Sequence, residues 1–297
     1  GTISTTTWTT SMSPYRVIGE VSVPVGETLT IGPGVDVLFD VDVEFKVEGM
    51  IRAIGTDSDS IRFIPGLAAS WKRLSIFNSS ESNELRYVRV SGAMTNTAAY
   101  GIMVVGSELD ISNCVLQKNN GGIAMVSASN VRVIRCTMLD NLSDSPGQTN
   151  GGGVGIDGSV VLLEDCVIKQ NISPAHGGGV RISTDGGPST VRLQGCEIVD
   201  NTSMSYAGGV CVWDDVEITI DRCTITGNTG HDGNTPGGGV FTSSSNMSMS
   251  NSIVWGNTPN EIDVFQTDSP SITYSDIKGG FLGTGNIDAD PMFARSE

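Results

Sequence analysis

Polar and apolar residues alternate in short bursts along this chain, and the bursts repeat. Leu109 and Ile111, Val131 and Val133, Val161 and Leu163, Val191 and Leu193, and Ile218 and Ile220 are pairs spaced by two. Each pair ends three residues before a cysteine. The motif that follows is Cys114-Val-Leu-Gln-Lys-Asn119, Cys136-Thr-Met-Leu-Asp-Asn141, Cys166-Val-Ile-Lys-Gln-Asn171, Cys196-Glu-Ile-Val-Asp-Asn201 and Cys223-Thr-Ile-Thr-Gly-Asn228. Ser252-Ile-Val-Trp-Gly-Asn257 is a sixth copy, and Ser275-Asp-Ile-Lys-Gly-Gly280 a weaker seventh. Backwards, Val88 and Ile64 take the same place. A period of two predicts strands with one buried face. From Val88 onward the anchors recur every 22 to 30 residues, so a fixed strand motif is joined by loops of varying length.

A third strand is predicted between anchors. Gly-Gly-Ile123, Gly-Gly-Gly-Val154, Gly-Gly-Gly-Val180, Gly-Gly-Val210 and Gly-Gly-Gly-Val240 each open a β-branched stretch, as does Tyr100-Gly-Ile102. No apolar 3.6-residue period extends over ten residues, so helices are not expected. Near the N-terminus, Val35 to Val47 alternates with odd residues inward, and Pro24-Val-Gly26 and Gly32-Pro-Gly34 before it are turns. The expectation is an all-β, single-stranded, right-handed parallel β-helix, a solenoid of about eleven coils. At ~4.8 Å per coil it forms a rod on the order of 50 Å long. One domain is expected over 1–297: N-terminal coils and a cap with Trp8 over 1–60, regular coils over 61–280 and a closing segment over 281–297.

The columns of Cys or Ser, aliphatic and Asn, with their Gly-Gly-Gly-Val turns, resemble the right-handed β-helix superfamily over roughly residues 60–280. That superfamily contains pectate lyases and many bacterial surface proteins. Val23-Pro-Val-Gly26 through Gly32-Pro-Gly-Val35 resembles the opening coils of large extracellular bacterial β-helices. Asp288-Ala-Asp-Pro-Met-Phe293 resembles a closing motif of such proteins. The resemblance implies a fold shared by many activities rather than one activity.

Composition narrows the field. Gly supplies 38 of 297 residues and charged residues only 17%. The net charge is −16, with no basic stripe, which argues against nucleic acid. No apolar run reaches the ~20 residues of a membrane span. The start Gly1-Thr-Ile-Ser lacks a signal-peptide pattern. Together with the resemblance, this suggests a mature or trimmed piece of a longer secreted or cell-surface bacterial protein. Six cysteines usually suggest disulfides outside the cell. Here five fall in one column, where stacked side chains point the same way and suit a bridge badly. Free buried thiols are expected. Asn suits a sharp corner because it tolerates the left-handed region, and stacked Asn side chains can bond along the axis.

Candidate chemistry gathers on the outward positions of the Gly-Gly-Val strands. One outward column reads Met103, Ala124, Gly155, Arg181, Cys211 and Phe241; the next reads Val105, Val126, Asp157, Ser183, Trp213 and Ser243. The longest loops feed this face and carry Asp144, His176, Tyr206, His231 and Asp232. Cys211 is either covered by a loop or an exposed thiol.

Three functions stay open. A non-catalytic surface, adhesion or glycan-binding rod needs no acid/base set. Its partner would be a polysaccharide or cell-surface glycan, with Trp213, Phe241 and Tyr206 as stacking platforms and Asp157, Asp185, Asp214 and Asp215 as polar contacts. A polysaccharide lyase needs a charge neutraliser beside a base, and Arg181, His176 and Tyr206 are the candidate catalytic set. A glycoside hydrolase or epimerase would use paired carboxylates among Asp157, Asp185 and Asp214. Of the motifs that β-helix hydrolases carry, Asp214-Asp215 is present, while Asn-Thr-Asp and Gly-His-Gly are absent. The clustered Asp pattern of pectate lyases is not recognisable. Ca²⁺ is the one candidate cofactor, with Asp185, Asp214 and Asp215 as oxygen ligands. The Gly-Gly-x-Gly-x-Asp calcium repeat is absent.

Overall fold

The computed structural model describes residues 1–95, 100–127, 129–143, 151–231, 237–265 and 269–293. Its strands form three long parallel sheets, two of eleven strands and one of ten, with a two-stranded ladder beside them. Successive strands of the chain fall in different sheets, and, the two short ladder strands aside, every third strand joins the same sheet. One coil shows the pattern: Thr190–Gln194, Glu197–Val199, Thr202–Ser203 and Val210–Trp213, before Glu217–Asp221 begins the next.

Period-two alternation dictates what is inside. Val191, Leu193, Cys196, Ile198, Val210 and Val212 are all buried, while Arg192 and Glu197 between them face out. In register, Val161, Val191 and Ile218 stack in one sheet and Ile168, Ile198 and Ile225 in another. Each buried aliphatic side chain contributes roughly 1.5–3 kcal/mol of transfer free energy. The buried apolar residues form one continuous cluster from Val17 to Ile277. At its N-terminal end, aromatic rings replace the aliphatic stack: Phe39 lies flat on Trp71 at 3.9 Å, and Phe45 meets Phe63 edge-on. Trp8, stacked on Tyr15 at 4.4 Å, covers this end.

The Asn column is buried and bonded as expected. Nδ2 of Asn141, Asn171, Asn201 and Asn228 each donates to Oδ1 of the next Asn at 2.9 Å. The reason offered for Asn at the corner needs correcting. The left-handed residue is the one before it: Lys118, Asp140, Gln170, Asp200 and Gly227 have φ between 52° and 67°. Asn itself is used for its amide, which bonds both neighbouring coils. A second left-handed corner precedes Val88 and each Cys of the column, at Tyr87, Asn113, Arg135, Asp165, Gly195 and Arg222.

All six cysteines are buried free thiols. Cys166 Sγ donates to the Val133 carbonyl of the preceding coil at 3.3 Å. One anchor was misplaced: Val88 pairs with Ile61, whereas Ile64 pairs with Leu38 on the outer face. Ile61-Arg62-Phe63-Ile64 holds apolar residues in both registers, and the packing of Ile61 and Phe63 decides.

Candidate functional site

The Gly-Gly-Val strands form the ten-stranded sheet. Their outward column runs in register through Met103, Ala124, Gly155, Arg181, Cys211, Phe241 and Asp263. The glycines before these strands are fixed by space. A Cβ on Gly153 would lie 2.7 Å from the Gly179 carbonyl and 2.8 Å from Ile168 Cγ2. The loops leave the Asn corner through a short ladder, with Ile172–Ser173 pairing with Thr202–Ser203.

This face is not solvated. Ala207, Cys211 and Phe241 make a second apolar cluster outside the solenoid, with Tyr206 and Trp213 packed against it. Phe241 has no exposed surface, so it cannot serve as a sugar platform; its ring lies 4.6 Å from Tyr206 and 4.9 Å from Trp213. Cys211 is covered, and burial pushes its thiol up to about 12. His176 is half-buried, with its ring 5.1 Å from Tyr206 and 5.6 Å from Trp213. Burial, then the nearby Arg181 charge, lowers its pKa to about 4. The structure therefore joins His176, Tyr206, Trp213 and Phe241 into one cluster, with Arg181 close enough to act on His176 and Cys211 electrostatically.

Arg181 is only 3% exposed. Its Nη1 donates to Ser183 Oγ at 2.9 Å, and Nη2 stands 3.8 Å from Asp185, which is 54% exposed. Ser183 Oγ donates to Asp157 Oδ1 at 3.3 Å, and the Gly186 amide donates to the same oxygen at 2.8 Å. Asp157, at 5% exposure, is thus bonded to Ser183 and Gly186 of the following coil rather than presented to a substrate. Asp214 and Asp215 are exposed in the turn after Trp213, and their carboxylates make no hydrogen bond or ion pair among the described residues. His231 is exposed; Asp144 and Asp232 lie outside the described residues. Among the described residues, no group of three His, Cys, Asp or Glu side chains converges as a metal site.

Two residues escaped the sequence reading. Tyr100, 4% exposed, has its phenol pushed up by burial and feels the Arg181 charge. Asp263 continues the column beyond Phe241, and burial raises its pKa. Its place was legible in the register, but its strand lacks a Gly-Gly-Val opening. Buried polar atoms without hydrogen-bond partners among the described residues mark this face too. Arg181 Nε, His176 Nδ1, Trp213 Nε1, Asp263 Oδ2 and Ser75 Oγ are such atoms, and each belongs to this sheet or the loops over it.

Fold and face together define a parallel β-solenoid repeat protein with one side roofed by its own loops. A family model described as the right-handed β-helix region matches residues 72–213 and again 153–285, and the chain belongs to that family. No curated protein and no solved structure matches it at a significant level. Among the described residues, no helix is long and apolar enough to cross a membrane.

Proposed function

We propose that this chain is a non-catalytic β-helix module of the cell exterior that holds a glycan rather than cleaving one. The observation that carries the reading is the state of the acid/base candidates. Arg181 and Asp157 are buried and committed through Ser183, and His176 is packed among rings with its basicity suppressed. A lyase base must reach a substrate proton within about 2.6–3.2 Å. A neutraliser sealed against its own loop does not meet a uronate carboxylate. The secreted or surface setting is part of the same proposal, and its support is the resemblance to extracellular β-helices.

Incubation with alginate, pectate and glycosaminoglycans, followed by absorbance of the unsaturated uronate, tests it. The expected outcome is retention of a glycan on the protein with no product. Product formed by the wild type and abolished by Arg181→Ala would overturn the non-catalytic reading in favour of a lyase.

A further inference from the structure

Charge is unevenly distributed along the rod. Residues 1–135 hold eleven Lys or Arg against thirteen Asp or Glu, whereas residues 136–297 hold six against twenty. Nearly all of the negative charge therefore belongs to the second part. Within the first part the arginines divide into two groups. Arg16, Arg52, Arg62, Arg73 and Arg132 each reach a carboxylate within 4 Å. Arg86, Arg89 and Arg135 make no ion pair among the described residues. Of the arginines among the described residues, only Arg192 shares that condition.

These three stand about one vertex of the coil, opposite the Gly-Gly-Val sheet. Tyr87, Asn113 and Arg135 are the left-handed corner residues of three successive coils, with φ of 51°, 54° and 51°. All three line a surface cavity of about 400 Å³, together with Arg89, Ser60 and Asp57. A second cavity of about 410 Å³ shares Ser60 and Arg89 and extends to Arg62. Arg89 pairs in register with Arg62 on the neighbouring strand. Like charges directly opposite each other are destabilising. Arg62 is neutralised by a two-point contact with Asp36, while Arg89 has only Ser60 Oγ at 3.3 Å. The groove thus presents guanidinium donors, a phenol ring, an amide and a hydroxyl, with the Asp57 and Asp59 carboxylates also in its lining but neither ion-paired with Arg89 or Arg135.

We infer that this corner groove binds the oxyanion groups of an acidic polysaccharide. Arg89 and Arg135 take groups on different sugars, and Tyr87 lies alongside a ring. Arg135 is two coils beyond the Arg89 coil, about 10 Å along the axis at the strand spacing. That separation suits an extended chain of several charged sugars and exceeds what one small acid can bridge. Guanidinium pairs with carboxylate or sulfate in two parallel hydrogen bonds, which gives the contact its geometry. The inference rests on the glycan-binding reading and names its site and ligand class.

The test is binding by the whole chain to oligogalacturonate, which carries only carboxylates, to dextran sulfate, which carries only sulfates, and to neutral dextran. The variants are the double substitution Arg89→Ala/Arg135→Ala and Arg192→Ala as a charge control. All these positions are exposed or half-buried, and circular dichroism confirms folding. The expected result is binding to at least one anionic probe, weakened about tenfold or more by the double substitution. Binding should change less than twofold in Arg192→Ala and fall with added salt. The anionic probe retained identifies carboxylate or sulfate as the group read. Anionic binding that survives the double substitution, or binding to neutral dextran alone, overturns the corner site and leaves the glycan-binding reading standing. No binding to any probe removes both.

Discussion

The Asn ladder allows the sharpest prediction. Asn171 is fully buried. Its Oδ1 accepts from the Asn141 backbone amide at 3.1 Å and from Asn141 Nδ2 at 2.9 Å. Its Nδ2 donates to the Met138 carbonyl at 3.0 Å and to Asn201 Oδ1 at 2.9 Å. Asn171→Ala removes all four bonds and leaves the buried Asn141 N–H without a partner. An orphaned buried donor costs about 1–3 kcal/mol, and each further lost bond about 1 kcal/mol. The expected loss is about 4–6 kcal/mol. Asn171→Asp is the sharper variant, because a carboxylate cannot donate to Met138 O or Asn201 Oδ1. Its folded pKa should lie above the ordinary ~3.9. The destabilisation is then smallest below the unfolded pKa and grows as pH rises towards the folded pKa. Urea unfolding over a pH series measures both variants. Because repeat proteins can open locally, hydrogen exchange at the Asn141 amide gives the local readout. A loss below ~1 kcal/mol for Ala, or an Asp variant insensitive to pH, would refute the reasoning.

Gly153→Ala should destabilise by several kcal/mol, because the new methyl meets the Gly179 carbonyl and Ile168 Cγ2. Thermal melts check this, and unchanged stability would mean the coils can separate there. His176 binds its proton less readily folded than unfolded, so stability should fall as pH drops from about 6.5 to about 4. His176→Gln should flatten that part of a melting-temperature-against-pH curve. None of the six thiols should react with an aromatic disulfide reagent in the native state, and all should react after denaturation. Rapid native labelling of Cys211 would mean that the loop cluster over it opens.

The fold was legible because the Cys-to-Asn motif fixes two corners of each coil by residue type. Cys fits a small interior site, and Asn alone among the corner residues supplies a donor and an acceptor on one short side chain. Where that motif is missing, alternation alone leaves the register open, as Ile64 shows. The left-handed corners were illegible for a related reason. Lys118, Asp140, Gln170 and Asp200 share no type, because only their backbone is specified. The outward column was read in its correct register, but its burial was not legible. Phe241 and Arg181 face away from the solenoid axis, and whether that means water depends on how Tyr206 and its loop fold back. The basic corner was hidden by sequence distance, since Arg89 and Arg135 are brought together only by stacking.

Solenoids have few ways to hide a polar chain, so the side left open carries weight. On the Gly-Gly-Val side, the loops that bear the two histidines close over the sheet. They convert Cys211, Phe241 and Trp213 into a second apolar cluster. At the opposite vertex the corner residues are single and the turns short, so Tyr87, Asn113 and Arg135 remain at the surface. The sign of the chain as a whole also misleads there. At physiological salt, exposed charges farther apart than ~8 Å are largely screened from one another. The acidic coils beyond Cys136 therefore weaken the field at Arg89 much less than −16 implies. What a polyanion meets is local: a guanidinium whose register neighbour is already neutralised, and a second one two coils away that makes no ion pair among the described residues, although Asp165 is the next corner residue.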